Sequence, residues 1–493
     1  MFSITANLKL RNKSELIVFP FWEGAKKAVE ASDLGDLKKW VQPPISEGDF
    51  QGEAKETALV YSSGTKERRC LLLGLGPQEK LSVEGLRKAY SEAAKVCQRM
   101  AISEITVVMP NIVELRHITA EQAIEGVCEG LLLTNYKWEQ LTTVQEETIL
   151  LKKVQIVGIL PKYLPAVKEW QMVAEGVHFC RDLINGNADD VTPQELVDAA
   201  KKIAGTFPAV KATVFDKARI IREKMGLLEA VSRGSAVDPA FIILAYRGAP
   251  KSKDHTVIIG KGVTYDTGGL NLKPPSSMET MRDDMSGAAC VLSTLATAAA
   301  LQLKCNVTAV VPATENAIDA KSYKMGDVYR GYNGTTVEIG NTDAEGRLIL
   351  ADALAYSEEH LAPTRMIDLA TLTGSIVVGL GHDLAGLFCN DDKLAKELMA
   401  ASAETSELLW RLPLHPPYNK LLKSDIADLK NIGGRAAGSI TAALFLQHFV
   451  KKVPWAHLDI AGTAFQTAES GYWPKNGVGF GVRLLINFLK NIK

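Results

Sequence analysis

Four carboxylates, two lysines and an arginine stand out in this 493-residue chain because each falls just beyond an apolar run. After Thr-Val-Ile-Ile-Gly (256–260) come Lys261, Asp266, a glycine-rich turn and Lys273. After Thr-Thr-Val-Glu-Ile-Gly (335–340) come Asp343, Glu345 and Arg347. Arg282-Asp283-Asp284 precedes a run of small residues, and Thr371 to Gly374 follows Met-Ile-Asp-Leu-Ala (366–370). Carboxylates crowded into a half-buried crevice repel one another unless a cation lies between them. With Asp266 and either Asp283 or Asp284, four could converge. That donor set suits a pair of divalent ions about 3.5–4 Å apart, bridged by at least one carboxylate. If the strand stays extended through Asp343, Glu345 and Arg347, their i, i+2, i+4 spacing projects all three from one face.

Other chemistries lose ground. None of the eight histidines forms H-E-x-x-H, and neither G-x-S-x-G nor G-x-x-x-x-G-K-[ST] occurs, which removes zincins, common serine hydrolases and P-loop enzymes. A two-metal hydrolase, a phosphate-binding or phosphoryl-transfer α/β enzyme and a non-catalytic scaffold remain. The lysines favour the first. Lys261 ends a buried strand, where desolvation lowers an amine pKa and makes it a neutral metal ligand. Lys273, beside Pro274 and Pro275, stays charged and can face a developing oxyanion.

The elements that must position these groups alternate strand and helix patterns, which predicts an α/β fold. A smaller N-terminal α/β domain is expected over 1–165, a connecting helix or linker over 166–190 and a larger catalytic α/β/α domain with a mixed sheet over 191–493. In open sheets of this kind ligands collect beyond the carboxyl ends of the strands. Gly74-Leu-Gly76 follows a strand, but Glu79 stands where a dinucleotide fingerprint needs its third glycine, so a turn is expected. A charge balance of 56 basic to 57 acidic residues, with 46% hydrophobic residues, argues for a folded globular chain and against bulk nucleic acid or an anionic membrane as partner. Seven cysteines without a C-x-x-C pair read as buried free thiols of a reducing compartment. The alternating N-terminus lacks a signal-peptide core, and the 19-residue uncharged run Met285–Leu303 carries enough hydroxyls to read as a buried helix rather than a membrane span. A cytoplasmic location is expected.

Asn341-Thr-Asp343-Ala-Glu345-Gly-Arg347-Leu resembles the signature of the leucyl aminopeptidases, also called cytosol aminopeptidases. The similarity continues through Lys261 to Lys273, Asp284-Met-x-Gly-Ala-Ala, Thr371-Leu-Thr-Gly374, Trp410-x-Leu-Pro-Leu, Ser424-x-x-Ala-Asp428-x-x-Asn431 and Trp455-Ala-His-Leu-Asp-Ile-Ala-Gly462. It covers most of 175–490. Departures are Asn185-Gly-Asn187 where many members carry Asn-x-Pro, and Glu315-Asn316-Ala317-Ile318 without Met-Pro. The resemblance implies a two-metal exopeptidase that releases N-terminal residues, preferring leucine and other bulky apolar ones, from peptides with a free N-terminus. It implies one metal site of Lys261, Asp266, Asp284 and Glu345, and a second of Asp266, Asp343 and Glu345, occupied by zinc or manganese. It selects Asp284 over Asp283. It gives catalytic roles to Lys273 and to Arg347, the latter holding bicarbonate as a proton shuttle, and lines the substrate pocket with Met281, Thr371, Gly374, Ala461 and Ala464. It also implies a homo-oligomer, a hexamer in typical members. Some bacterial relatives bind DNA, but a neutral chain without an arginine-rich run does not predict a nucleic-acid partner.

Overall fold

The computed structural model describes residues 1–24, 37–63, 66–110, 118–138, 141, 143 and 148–492. These form two compact units, Met1–Ala174 with Ala468–Pro474, and Glu175–Thr467 with Lys475–Lys493. The linear ranges expected from the sequence did not foresee the return of 468–474 to the first unit. Long-range contacts explain it: Tyr472, buried, donates its hydroxyl to Glu84, and Glu469 pairs with Lys95.

The first unit holds a six-stranded sheet of β1 (Phe2–Thr5), β2 (Leu16–Phe21), β3 (Thr57–Tyr61), β4 (Arg69–Gly74), β5 (Glu104–Val108) and β6 (Lys153–Val157), in the order β1-β6-β5-β2-β4-β3. Only β3 runs antiparallel to its neighbour. The helices Val83–Arg99 and Ala120–Thr134 pack on each other. Each starts at an N-cap that accepts from a free backbone N–H: Ser82 from Gly85, and Thr119 from Gln122 in a reciprocal capping box. Gly74 ends β4 and Leu75-Gly76 leads away from it, Leu75 N donating to the Phe21 carbonyl and Gly76 taking φ +75°.

The second unit is built on β7 (Val210–Phe215), β8 (Ala240–Arg247), β9 (Thr256–Gly260), β10 (Gly262–Asp266), β11 (Asn306–Asn316), β12 (Val328–Arg330), β13 (Thr336–Glu338), β14 (Arg365–Ala370), β15 (Ala385–Cys389), β16 (Leu409–Arg411), β17 (Leu429–Lys430) and β18 (Trp455–Asp459). Its main sheet runs β16-β15-β18-β14-β9-β11-β8-β7, with β10 beside β11; β12, β13 and β17 make a separate small sheet. The centre, β18-β14-β9-β11, is parallel, and antiparallel pairs flank it. The parallel strands are apolar along most of their length because both faces are covered. Helix Gly346–His360 is buried from Gly346 to Ser357. Helix Ser286–Ala300 is buried at all but two positions, with the Ser286 hydroxyl donating to the Asp283 carbonyl and the Thr297 hydroxyl to the Ser293 carbonyl. That helix is the uncharged run of the sequence. Among the described residues, no helix is long and apolar enough to cross a membrane.

Candidate metal centre

The carboxyl ends of the parallel strands deliver the chemistry. Lys261 follows β9, Asp266 ends β10, Asn316 ends β11, Thr371 follows β14 and Asp459 ends β18. Asp284 lies on a 3-10 turn, Met281–Met285, that runs into the buried helix. Gly287 is what lets that turn come so close: a Cβ there would sit 2.1 Å from the Leu369 carbonyl and 2.8 Å from the Lys261 nitrogen.

The turn after β13 departs from the expected extended geometry. The strand stops at Glu338, residues 341–345 fold back, and Glu345, at φ −77° and ψ −37°, is the N-cap position of the helix that begins at Gly346. Asp343, Glu345 and Arg347 therefore do not share a strand face. They converge because the chain changes from strand to helix between them, and i, i+2, i+4 spacing has no bearing once the backbone turns. Thr342 pins one side of that turn: its hydroxyl donates to the Gly268 carbonyl at 2.7 Å and accepts from Asn271 N at 2.8 Å. Its carbonyl accepts from Asn316 Nδ2 and the Tyr323 hydroxyl.

Two lysines interleave with the four carboxylates. Lys261 Nζ lies 2.7 Å from Asp284 and 2.9 Å from Glu345; Lys273 Nζ lies 2.8 Å from Asp266 and 2.6 Å from Asp343. Thr371 completes one side, its hydroxyl donating to Asp284 at 2.8 Å and its carbonyl accepting from Lys261 at 2.9 Å. Asn316 Nδ2 donates to Asp266 at 2.8 Å. Burial, then Glu345, pushes Asp266 up to about 6. Burial also raises Asp284, although Lys261 opposes it, whereas the two lysines outweigh burial at Glu345 and hold it below the ordinary range. At Lys261 in the metal-free protein two influences oppose each other. Desolvation does press its pKa down, but Asp284, Glu345 and Asp266 press harder upward and keep the ammonium charged.

A cation fits this donor set. Carboxylate oxygens of Asp266, Asp343 and Glu345 lie within 4.8 Å of one another, and Asp284 Oδ2 and Glu345 Oε2 are buried without any hydrogen-bond partner. Buried anionic oxygens in that state are costly unless an ion meets them. Arg347 is buried beside them, its Nη1 donating to the Asn431 carbonyl at 2.8 Å while Nε has no partner. Burial lowers its pKa to about 10, so it remains a cation at neutral pH.

Of the expected pocket residues, Thr371 touches Asp284 directly. Met281 is half-buried at the head of the Asp284 turn. Gly374 is exposed with open space before its Cα, Ala461 is half-buried after β18, and Ala464 is buried at 1% exposure. Asp459 was not singled out from sequence, yet it braces the loop that carries Thr371 and Gly374. It accepts from the nitrogens of Leu372, Thr373 and Ala461 and from the Thr373 hydroxyl at 2.6 Å. Its signal was available as the lone acid closing the buried strand Trp455–Asp459, and Asn316 was legible as the amide that closes β11 after its largely apolar middle.

Known proteins resemble this chain along its length. The cytosol aminopeptidase catalytic domain matches residues 178–486, and the N-terminal domain of that family matches 17–144. A probable cytosol aminopeptidase of Protochlamydia amoebophila is 50% identical over 100% of this chain and 99% of its own length. One from Chlamydia felis is 51% identical over 99% of each. Among solved structures, the bottromycin maturation enzyme BotP in complex with Mn is 31% identical with a TM-score of 0.87, over 97% of this chain and 99% of its own. A mutant of tomato leucine aminopeptidase is 30% identical with a TM-score of 0.88, over 100% of this chain and 96% of its own. This chain belongs to the cytosol aminopeptidase family and is a metal-dependent enzyme that removes residues from the amino ends of peptides.

Proposed function

We propose that the enzyme uses two divalent ions and prefers leucine and other bulky apolar residues at the peptide N-terminus. The observation that carries the two-ion reading is the pair of buried, unpartnered oxygens, Asp284 Oδ2 and Glu345 Oε2, on the two carboxylates that Lys261 holds. One site would be held by Lys261, Asp266, Asp284 and Glu345, the other by Asp266, Asp343 and Glu345. Bound there, zinc or manganese would supply Lewis acidity toward a peptide carbonyl and a water.

The remaining steps fall to side chains of the chain itself. Lys273, charged and half-buried among Asp266 and Asp343, stabilises negative charge growing on the scissile carbonyl oxygen. Among the described residues no histidine is paired with these four carboxylates, so a mobile base is needed. Arg347, with a buried Nε lacking a partner, would hold bicarbonate to take the proton and return it to the leaving amine. Met281, Thr371, Gly374, Ala461 and Ala464 would shape the pocket for the first side chain, the space in front of Gly374 admitting its bulk. The same family membership underlies our reading of a homo-oligomer, a hexamer, acting in the cytoplasm.

Release of leucine from a dipeptide and from its N-acetylated form, with and without chelator, tests this reading. Cleavage of the free-amine peptide alone, abolished by chelation and restored by manganese or zinc, is expected. Equal cleavage of the acetylated peptide, or indifference to chelation, sinks it.

A further inference from the structure

The segment containing Ser424, Asp428 and Asn431 resembles the family in sequence but takes no part in the chemistry above. It lies along the strand that leads to the metal-site turn. β17 pairs in parallel with β13, setting Val337 opposite Leu429 and Glu338 opposite Lys430. The Asp428 carboxylate accepts from Thr336 N at 2.8 Å and from its hydroxyl at 2.7 Å, and Ser424 donates to the Glu338 carboxylate. One step further, at Asn431, the contacts change character because β13 has ended and the turn has begun.

Asn431 is wholly buried and its amide is fully used. The oxygen accepts from Gly340 N at 2.8 Å and Asn341 N at 3.2 Å. The nitrogen donates to the Asn341 carbonyl at 2.6 Å and the Ala344 carbonyl at 3.3 Å. Its backbone nitrogen donates to the Glu338 carbonyl at 3.0 Å, and its backbone carbonyl receives Arg347 Nη1 at 2.8 Å. One residue thus holds the turn at Gly340, Asn341 and Ala344 and also takes hold of the arginine beyond it. Asp343 and Glu345 are suspended between these anchors and the Thr342 clamp on the other side. A turn bonded by a side chain from a distant segment has little freedom to relocate its carboxylates, and outer partners of this kind govern metal affinity and rate.

We infer that Asn431 is a positioning residue for the reaction: its side-chain amide sets the turn that aims Asp343, Glu345 and Arg347. The inference rests on the two-ion reading above.

The test compares wild type, Asn431→Ala, Asn431→Asp and Ser424→Ala as full-length protein titrated with Mn²⁺, using a chromogenic L-leucyl amide and rates taken per folded molecule well below each melting temperature. Asn431→Ala should lower kcat roughly 10–100-fold and raise the Mn²⁺ concentration needed for half activity. KM should stay within about threefold, since the substrate pocket is untouched. Asn431→Asp keeps the size and both accepting contacts but turns oxygen toward two carbonyls. It should show the same split, and it decides the matter if the alanine variant does not fold. Ser424→Ala removes a bond from the same segment without touching the turn, so its kcat should match wild type. Wild-type kcat and Mn²⁺ requirement in both Asn431 variants overturn the inference, as does an equal loss in Ser424→Ala. A wild-type protein without Mn²⁺-dependent leucine release overturns the underlying reading instead.

Discussion

Each unit buries a cluster of acids around cations, and the two clusters end differently. In the first unit Arg87, with no exposed surface, pairs with Glu84, Glu125 and Glu129 across two packed helices. In the second, Lys261 and Lys273 are shared among Asp266, Asp284, Asp343 and Glu345. Acids outnumber buried bases in both. In the first, the side chains of Glu84 and Glu125 are about a quarter exposed, so water takes up the excess. In the second, Asp343 is about a third exposed, but Asp266, Asp284 and Glu345 are almost fully enclosed, and the excess on these three remains as orphaned oxygens on Asp284 and Glu345. Surplus negative charge with an outlet to solvent is a structural device; without one it demands an ion.

That contrast can be broken at either end. The largest effect is expected for Glu345→Ala, which removes one of the two acids, with Asp266, common to both proposed metal sites. Leucine release should fall by at least roughly 10³-fold, with metal stoichiometry by elemental analysis reduced in step. Retention of near wild-type activity would refute a shared ligand. Arg87→Met should act on stability alone, costing about 3–5 kcal/mol in denaturant unfolding because it takes a buried guanidinium away from the carboxylates of Glu84, Glu125 and Glu129. A changed kcat per folded molecule would show that the two clusters are not separate in role.

A smaller effect concerns pH. In the metal-free protein Asp266 is raised to about 6, chiefly by burial. Its ionised form, the one that can ligate, is lost as pH falls through that value. Mn²⁺ affinity measured by calorimetry should therefore weaken below about pH 6, by up to about tenfold per pH unit. A flat affinity down to pH 5 would exclude Asp266 as a ligand. The smallest effect is none at all. All seven cysteines are buried, and burial lifts Cys305 and Cys389 to about 11. A thiol reagent at pH 8 should label no native cysteine and seven after denaturation; any native labelling would count against their enclosure.

Much of this was legible in the sequence where local pattern suffices. The strands ending at Gly260 and Ala370, the buried helix of the uncharged run and the helix after Arg347 all follow from periodicity and turn residues. Lys261, Asp266, Asp343 and Glu345 stood out because acids and amines are rare just beyond apolar strands, whereas pattern left Asp283 and Asp284 equal and only the family resemblance selected Asp284. What escaped depended on pairing across long separations. Whether residues 341–345 run on or fold back is decided by Thr342 meeting Gly268 and by Asn431 arriving from 90 residues away, as its bond to Asn341 records. The charge that Lys261 keeps in the metal-free protein was hidden for the same reason: desolvation is a local argument, and two of the carboxylates that outweigh it, Asp284 and Glu345, come from distant parts of the chain. The return of 468–474 to the first unit is invisible to any linear division.

The sheet order has a consequence for the birth of the enzyme. β14, which precedes Thr371, is flanked by β9 on one side and by β18 on the other, so neighbours in space are made at residues 256–260, 365–370 and 455–459. At about 5–20 residues per second on the ribosome, the catalytic platform waits many seconds for its last strand. A peptidase that attacks amino ends is thereby kept idle while amino ends, its own among them, are emerging beside it.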